Sequence, residues 1–489
     1  MINYGTIVLI LMSLNLSAQK KYNRNLVSKE TNKVVEKIQK INQLMGSAVY
    51  YEGSRPLQYD HFEKLREIAS KDELLQLINH PNGVVKCYAF WALSLDTSVD
   101  LFPILIDHMD DYQIVNTQFG CIGSEVMVGD FFIQNAASRH VDLESQKNDS
   151  ISFLKLDSIL IYSNSKLYAK SYAISRAKPN KLLYPRIREI VVKENDPNAL
   201  VPLAKYNQQE DIPLILKSKS ADNDDGYYYI YKAIQEFPHS DFMPLLEKNL
   251  NKTLDDTHFS TEWRELYTAI AIYKNEKSIE LLEIPFTKVK HENIRKYHID
   301  FVYSAIQLNK CKMYDALLWK MWSEENRISP DVYHYLKERD SVRVYDLAKK
   351  SMLGSNEIYS SNMPLNFDDL GAMENITVLM LDEILRKDTK LGIDIIYEKL
   401  KNEDVHDFII FTDHVVRIKD PVFVEPLFKR LEQEWNAHVY LNIVQTLIAY
   451  QDATINKRIL DTRKINRNLN EGWGSESLDK LLRDNSIMR

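Results

Sequence analysis

Residues 267–283, YTAIAIYKNEKSIELLE, decide the fold. They hold no glycine-rich loop, no nucleophile motif and no metal-ligand pair, yet they recur. Tyr231-Lys232-Ala233-Ile234 precedes Leu245-Leu246. Tyr267-Thr268-Ala269-Ile270 precedes Leu281-Leu282, and Tyr303-Ser304-Ala305-Ile306 precedes Leu317-Leu318. Both landmarks advance by 36 residues, twice. Leu266, Ala269, Ile270 and Tyr273 fall at i, i+3, i+4 and i+7, one face of a helix. Lys274-Asn275-Glu276 is polar enough to turn, and Ile279, Leu281, Leu282 and Ile284 begin a second helix. A hairpin of this size cannot bury its apolar face alone and must stack on copies of itself. The small residue and the leucines recur because each layer presents the same surface to the next.

Weaker copies extend the pattern. Pro103, Pro213, Pro244 and Pro426 each stand in the first turn of an expected helix and precede Ile or Leu. Proline suits that turn, because its missing N–H has no intrahelical partner there anyway. Val415 and Leu427, and Leu447 and Ile459, repeat the offset of Ala269 and Leu281. Residues 72–95, DELLQLINHPNGVVKCYAFWALSL, carry Leu74-Leu75 and Leu77, the turn His80-Pro81-Asn82-Gly83, and a helix with Val84-Val85-Lys86, Ala89 and Ala92-Leu93. This stretch resembles a HEAT repeat, with Lys86 where arginine is usual. The resemblance covers much of 59–465. It implies an all-α, right-handed α-solenoid of antiparallel helical hairpins, a HEAT/armadillo-like superhelix of roughly ten to twelve units. Proteins of this kind mostly bind macromolecules along a concave surface. The next unit, 101–132, keeps the helical frame but sets Gly120 and Gly123 mid-helix, which predicts a close contact or a helix break there.

Composition narrows the functional classes. The chain has 489 residues, 27% of them charged and 45% hydrophobic, too much material for one ordinary core. A net charge of −7 disfavours nucleic acid as a partner. Residues 6–16 are apolar enough for a signal-peptide core but too short for a comfortable membrane span, and Ala18-Gln19 offers a cleavage point. No cysteine follows that core, so no lipid anchor is expected; an N-terminal hydrophobic helix in a cytoplasmic protein is the alternative. No later stretch is apolar enough to span a membrane. The expected plan is a signal peptide (1–18), a helical lead-in (19–58), solenoid (59–350), an irregular loop or linker (351–373), further repeats (374–467) and a tail (468–489). A second polar loop is expected at 144–150.

Motifs that could carry chemistry are weak. His291 and His298 lie two turns apart, wider than the i, i+4 spacing of a helical zinc site, and a solvated or capping role is expected. His414 and its neighbour Asp413 point to different helix faces. Residues 221–226, ADNDDG, fail as a calcium loop, because Ala221 and Lys232 occupy positions that need acids. Cys87, Cys121 and Cys311 read as buried apolar cysteines, and Cys121 with His108 and His140 shows no nucleophile signature. Lys457, Arg458, Arg463, Lys464 and Arg467 read as a solvated basic face or a contact for an acidic partner. No catalytic, cofactor-binding or metal-ligating residue is assigned. Tyr227, Tyr228 and Tyr229 beside Asp224 and Asp225 are the candidate binding patch, since tyrosines suit protein interfaces. The expected function is an exported, non-enzymatic scaffold for a protein partner. The rivals are an enzyme with a cleft site and a cytoplasmic helical-repeat adaptor or immunity protein.

Overall fold

The computed structural model describes residues 21–137, 150–218, 226–354, 374–405 and 407–488. The signal peptide, the loop at 144–149, most of 351–373, Asp224 and Asp225 lie outside them. Helices dominate, as the periodicity predicts. Two compact units divide the chain: one runs to Asn249 and includes Ser260–Ala269, and the other comprises Leu250–Phe259 and Ile270 onward.

In the first unit, the HEAT-like stretch forms two packed helices, Lys71–Leu77 and Gly83–Ser94. Ser70 and Glu73 close a capping box at the first, and the Asn82 side chain caps the second. Leu74, Leu77, Val84, Val85, Ala89, Ala92 and Leu93 are all buried. Phe62 stacks on Trp91 with ring centroids 4.4 Å apart and on Tyr88 at 5.0 Å.

Residues 101–132, in the same unit, depart from expectation. Only Phe102–Asp107 and Val128–Ala136 are helical, and between them lie strands β2 (Ile114–Gly120) and β3 (Ile122–Met127). They form an antiparallel hairpin, and β2 also pairs in parallel with β1 (Leu44–Val49). The lead-in is therefore not wholly helical either. The reason is local chemistry joined to a distant partner. Val115 and Thr117 are buried while Ile114 and Asn116 are exposed, a period of two, with β-branched side chains that favour the extended chain. Gly120 turns at φ +54°, a conformation that disfavours a side chain. At Gly83 an added Cβ would lie 2.6 Å from Val115 Cγ2, so only glycine lets the strand cross the helix start. Tyr88 locks β1 by donating to the Met45 carbonyl (3.0 Å) and accepting from its N–H (2.8 Å).

The landmark residues of the repeat lie where the pattern puts them. Tyr231, Tyr267 and Tyr303, the three alanines two residues on, and the isoleucines after them are at most 1% exposed. Leu246, Leu281, Leu282, Leu317 and Leu318 are equally buried, and Leu245 is partly exposed. The proline-marked starts also hold: Ile212–Lys217, Met243–Thr253 and Val424–Leu431 each follow a short 3-10 turn. In the second unit, Thr389–Asn402 packs on Ile376–Lys387, Phe408–Ile418 and Val424–Leu431. Further on, Ala437–Ile448 packs on Phe408–Ile418, Val424–Leu431 and Ala453–Ile465. The expected tail is folded: Asn468–Glu471 and Ser475–Asp484 are helices that bury Leu469, Leu478 and Leu482.

Candidate functional site

A face of tyrosines forms on the first unit. Helix Tyr168–Ser175 has no cap from its own Leu167. Asp130, on helix Val128–Ala136, supplies one by accepting from the N–H of Tyr168 (3.1 Å) and of Ala169 (2.8 Å). Burial pushes the Asp130 carboxyl up, against the pull of those two amides. Ala169, Ala173 and Ile174 turn inward. Tyr168 and Tyr172, one turn apart, stand outward at 63% and 55% exposure.

Helix Tyr228–Glu236 follows the same plan. Ile230, Tyr231, Ala233 and Ile234 are buried, and Tyr228, Tyr229 and Lys232 are half-buried. The Tyr228 and Tyr229 rings meet edge to face at 5.2 Å, and the Lys232 ammonium sits 5.0 Å from the Tyr228 ring centre. Tyr229 is within electrostatic reach of Asp196 and, more weakly, of Tyr172 on the other helix. Burial first, then the neighbouring Tyr228 and Asp196, push the Tyr229 phenol up. Burial pulls the Lys232 ammonium down, but Tyr228 and Glu265 outweigh it and hold its pKa above the ordinary value. The patch thus presents phenol hydroxyls, ring faces and one fixed positive charge.

Of the expected binding residues, Tyr228 and Tyr229 belong to this face. Tyr227 belongs to the packing instead: its ring stacks on buried Tyr231 at 5.9 Å, and its N–H donates to Glu262 (3.2 Å). Asp224 and Asp225 lie outside the described residues. Tyr168 and Tyr172 were missed by the sequence reading, although a pair of tyrosines at i, i+4 opposite Ala169, Ala173 and Ile174 was a usable signal.

The other motifs resolve into structure. Cys87 is buried, but Cys121 is exposed at the hairpin tip with its Sγ 3.6 Å from the Tyr50 carbonyl, and Cys311 is partly exposed. The expectation of buried cysteines therefore fails at Cys121, because a helix was expected where a turn forms. His108 sits inside, beside Phe132 and 3.5 Å from Asp111, which accepts from Lys86 at 2.7 Å. His298 is buried rather than solvated, and His414 lies between the Ile410 carbonyl (2.7 Å) and Asp382 (2.9 Å). The basic stretch is largely spent on pairing: Arg458 with Glu425, Arg463 with Asp479, Lys464 with Asp461. Among the described residues no cluster of three His, Cys, Asp or Glu is placed to hold a metal, and no helix is long and apolar enough to cross a membrane.

No family model matches the chain, and no curated protein or solved structure matches it.

Proposed function

We propose that the chain is an exported HEAT-like helical-repeat scaffold that binds a protein partner through the tyrosine face of its first unit. The observation that carries the binding role is that face itself. Four tyrosines and a lysine gather on the outer sides of two helices whose inner sides are committed to the core. Tyrosine supplies large, rigid contact area with a polar tip, which is why it anchors protein interfaces.

The repeat reading rests on how side chains reach along the chain. In the first unit, Lys170 pairs with Glu194, the Tyr206 hydroxyl donates to the Asn180 carbonyl, and Gln235 donates to Glu265. In the second, Arg295 pairs with Glu325, Ser278 bonds Tyr314, and Tyr450 donates to the Asp420 carbonyl. The links span 24 to 36 residues, up to one period of the pattern, the range expected of stacked helical hairpins. Export rests on the apolar run at 6–16 and the Ala18-Gln19 junction.

The test is chemical cross-linking and affinity capture from the native source with wild-type bait and with Tyr172→Ala/Tyr229→Ala, followed by mass spectrometry of the bait terminus. The expected result is a partner captured by wild type, lost from the double variant at unchanged melting temperature, on a bait that begins near Gln19. Equal capture by both baits removes the tyrosine face from the proposal. A bait that retains Met1 removes export.

A further inference from the structure

Two of the six tryptophans are solvent-exposed, Trp435 at 69% and Trp473 at 66%, and they flank one loop at the start of helix Ala437–Ile448. Neither is carried on a loose segment. Glu434 accepts from the N–H groups of Trp435 and Asn436, both at 3.0 Å, and its other carboxylate oxygen meets Arg430 at 3.1 Å. The Glu434 carbonyl in turn accepts from the Asn466 side chain at 2.8 Å. Arg430 is itself fixed, donating to the Glu403 carbonyl (2.7 Å) and covering the Phe408 ring at 4.3 Å. Trp473 stands between two glycines. An added Cβ at Gly472 would lie 2.4 Å from the Asn468 carbonyl, and one at Gly474 would lie 2.4 Å from Ala437 Cβ. The turn is therefore pressed against the helix start, and the indole is held outward with its ring edge-on to His438 at 4.9 Å. Two large apolar rings held exposed on braced backbone are preorganised for a ligand, because little conformational freedom remains to be lost.

The surroundings say which ligand. Trp435 rims a cleft of about 490 Å³ whose lining includes Lys401, Lys429, Glu432 and Gln433. Among the described residues the Gln433 side chain makes no hydrogen bond, Lys429 makes no ion pair and acts only at a distance on Glu425, which Arg458 already pairs, and Arg430 and Glu434 neutralise each other. Lys401 is shared with Glu398 at 2.7 Å. The free chemistry is an aromatic plane, an amide and an ammonium, with a carboxylate at the rim. A protein hot spot seats its aromatic anchors in well-packed, desolvated pockets; here the cleft-side ring stands largely in solvent beside an open cleft. A pyranose fits instead. Its C–H face lies on the indole, whose ring face carries negative charge density. Its hydroxyls meet the Gln433 amide, and a carboxylate on the sugar meets Lys429. We infer that the Trp435 cleft, with Trp473 as a second platform, is a binding site for an acidic saccharide.

The probes are oligogalacturonate and, as the neutral control, a cello-oligosaccharide of equal length, titrated into the full chain by calorimetry and tryptophan fluorescence. Oligogalacturonate is expected to bind in preference to the control. Trp435→Ala is expected to weaken it about tenfold, the worth of one aromatic contact, and Trp435→Phe to restore most of the loss. Lys429→Gln is expected to erase the preference for the acidic oligomer. Melting temperatures of the variants should match wild type, since both indoles are exposed. Failure of wild type to bind either oligomer, or equal binding by wild type and Trp435→Ala, overturns the inference. So does protection of both tryptophans from N-bromosuccinimide by a protein partner when neither oligomer protects them.

Discussion

Residues 114–127 and residues 292–325 both hide an apolar face, over different distances. In the second region, helix Glu292–Leu308 packs on helix Asp315–Glu325, the next long helix in the chain. That helix buries Val302, Tyr303, Ala305 and Ile306, and the Tyr303 hydroxyl donates to Ser329, 26 residues on. In the first region, β2 pairs with β3 nearby but also with β1, where Leu44 faces Thr117. Val115 lies against Gly83, and the sheet itself closes only through β1, far upstream. Neighbour-to-neighbour packing spreads stability along an array, whereas a sheet closed from afar concentrates it in a few residues.

Measurements can break or sharpen that contrast. The largest effect is expected at the buried ion pair beside the hairpin. Asp111→Asn leaves the Lys86 ammonium without its partner and should cost ~3–5 kcal/mol in denaturant unfolding. A cost near that of an exposed pair such as Arg24–Glu36, below ~1 kcal/mol, would contradict the concentrated picture. Burial pushes the Asp111 carboxyl up, but His108 and Lys86 outweigh it and hold it below the ordinary value. Its contribution is thus complete above the carboxylate range and is lost as pH falls through the folded value.

Next, Leu281→Ala should cost ~2–5 kcal/mol by leaving a cavity in the repeat. Ile122→Ala, at a hairpin position 71% exposed, should stay within ~0.5 kcal/mol. Comparable thermal shifts for the two would undo the alignment of the leucine pairs. Gly129→Ala comes third. Its Cβ would lie 2.7 Å from the His108 carbonyl and from a Leu167 methyl, and overpacking of that kind costs ~1–3 kcal/mol.

Last comes a pH slope with a source in each unit, an effect absent at neutral pH. Burial pulls His80 and His298 down from 6.5 to about 4. Each folded site therefore binds its proton more weakly than the unfolded chain does. Their contribution is complete above 6.5 and is lost as pH falls from there towards 4. His298→Asn should flatten the dependence of melting temperature on pH in that window, and an unchanged slope would remove His298 as a source.

What was legible in the sequence follows the same division. Tyr231, Ala233, Tyr267, Ala269, Tyr303 and Ala305 announced their burial through helical periodicity and the 36-residue spacing, both written in the local sequence. The alternation at Val115 and Thr117 was masked by a frame carried over from the preceding helices, and no local signal points to Leu44 as a partner. Of the tyrosine face, Tyr228 and Tyr229 were legible as a run. Tyr172 joins them only through the fold. Trp435 gave no signal by itself, since its exposure depends on Glu434 folding back over the two amides that follow. The run Gly472-Trp473-Gly474 falls in the expected tail, because glycine marks both a loose tail and a tight contact.

The parallel pairing of β1 with β2 also sets an order of events in time. During synthesis β1 emerges about seventy residues ahead of the strand it needs, which at roughly 5–20 residues per second is a wait of several seconds. Over that interval Leu44, Met45 and Val49 have no sheet to enter, although helix Lys29–Ile41 can already form. The beginning of the described chain is therefore completed only once residue 127 has been made, and a pause placed after residue 127 would do more for its folding than one placed before residue 114.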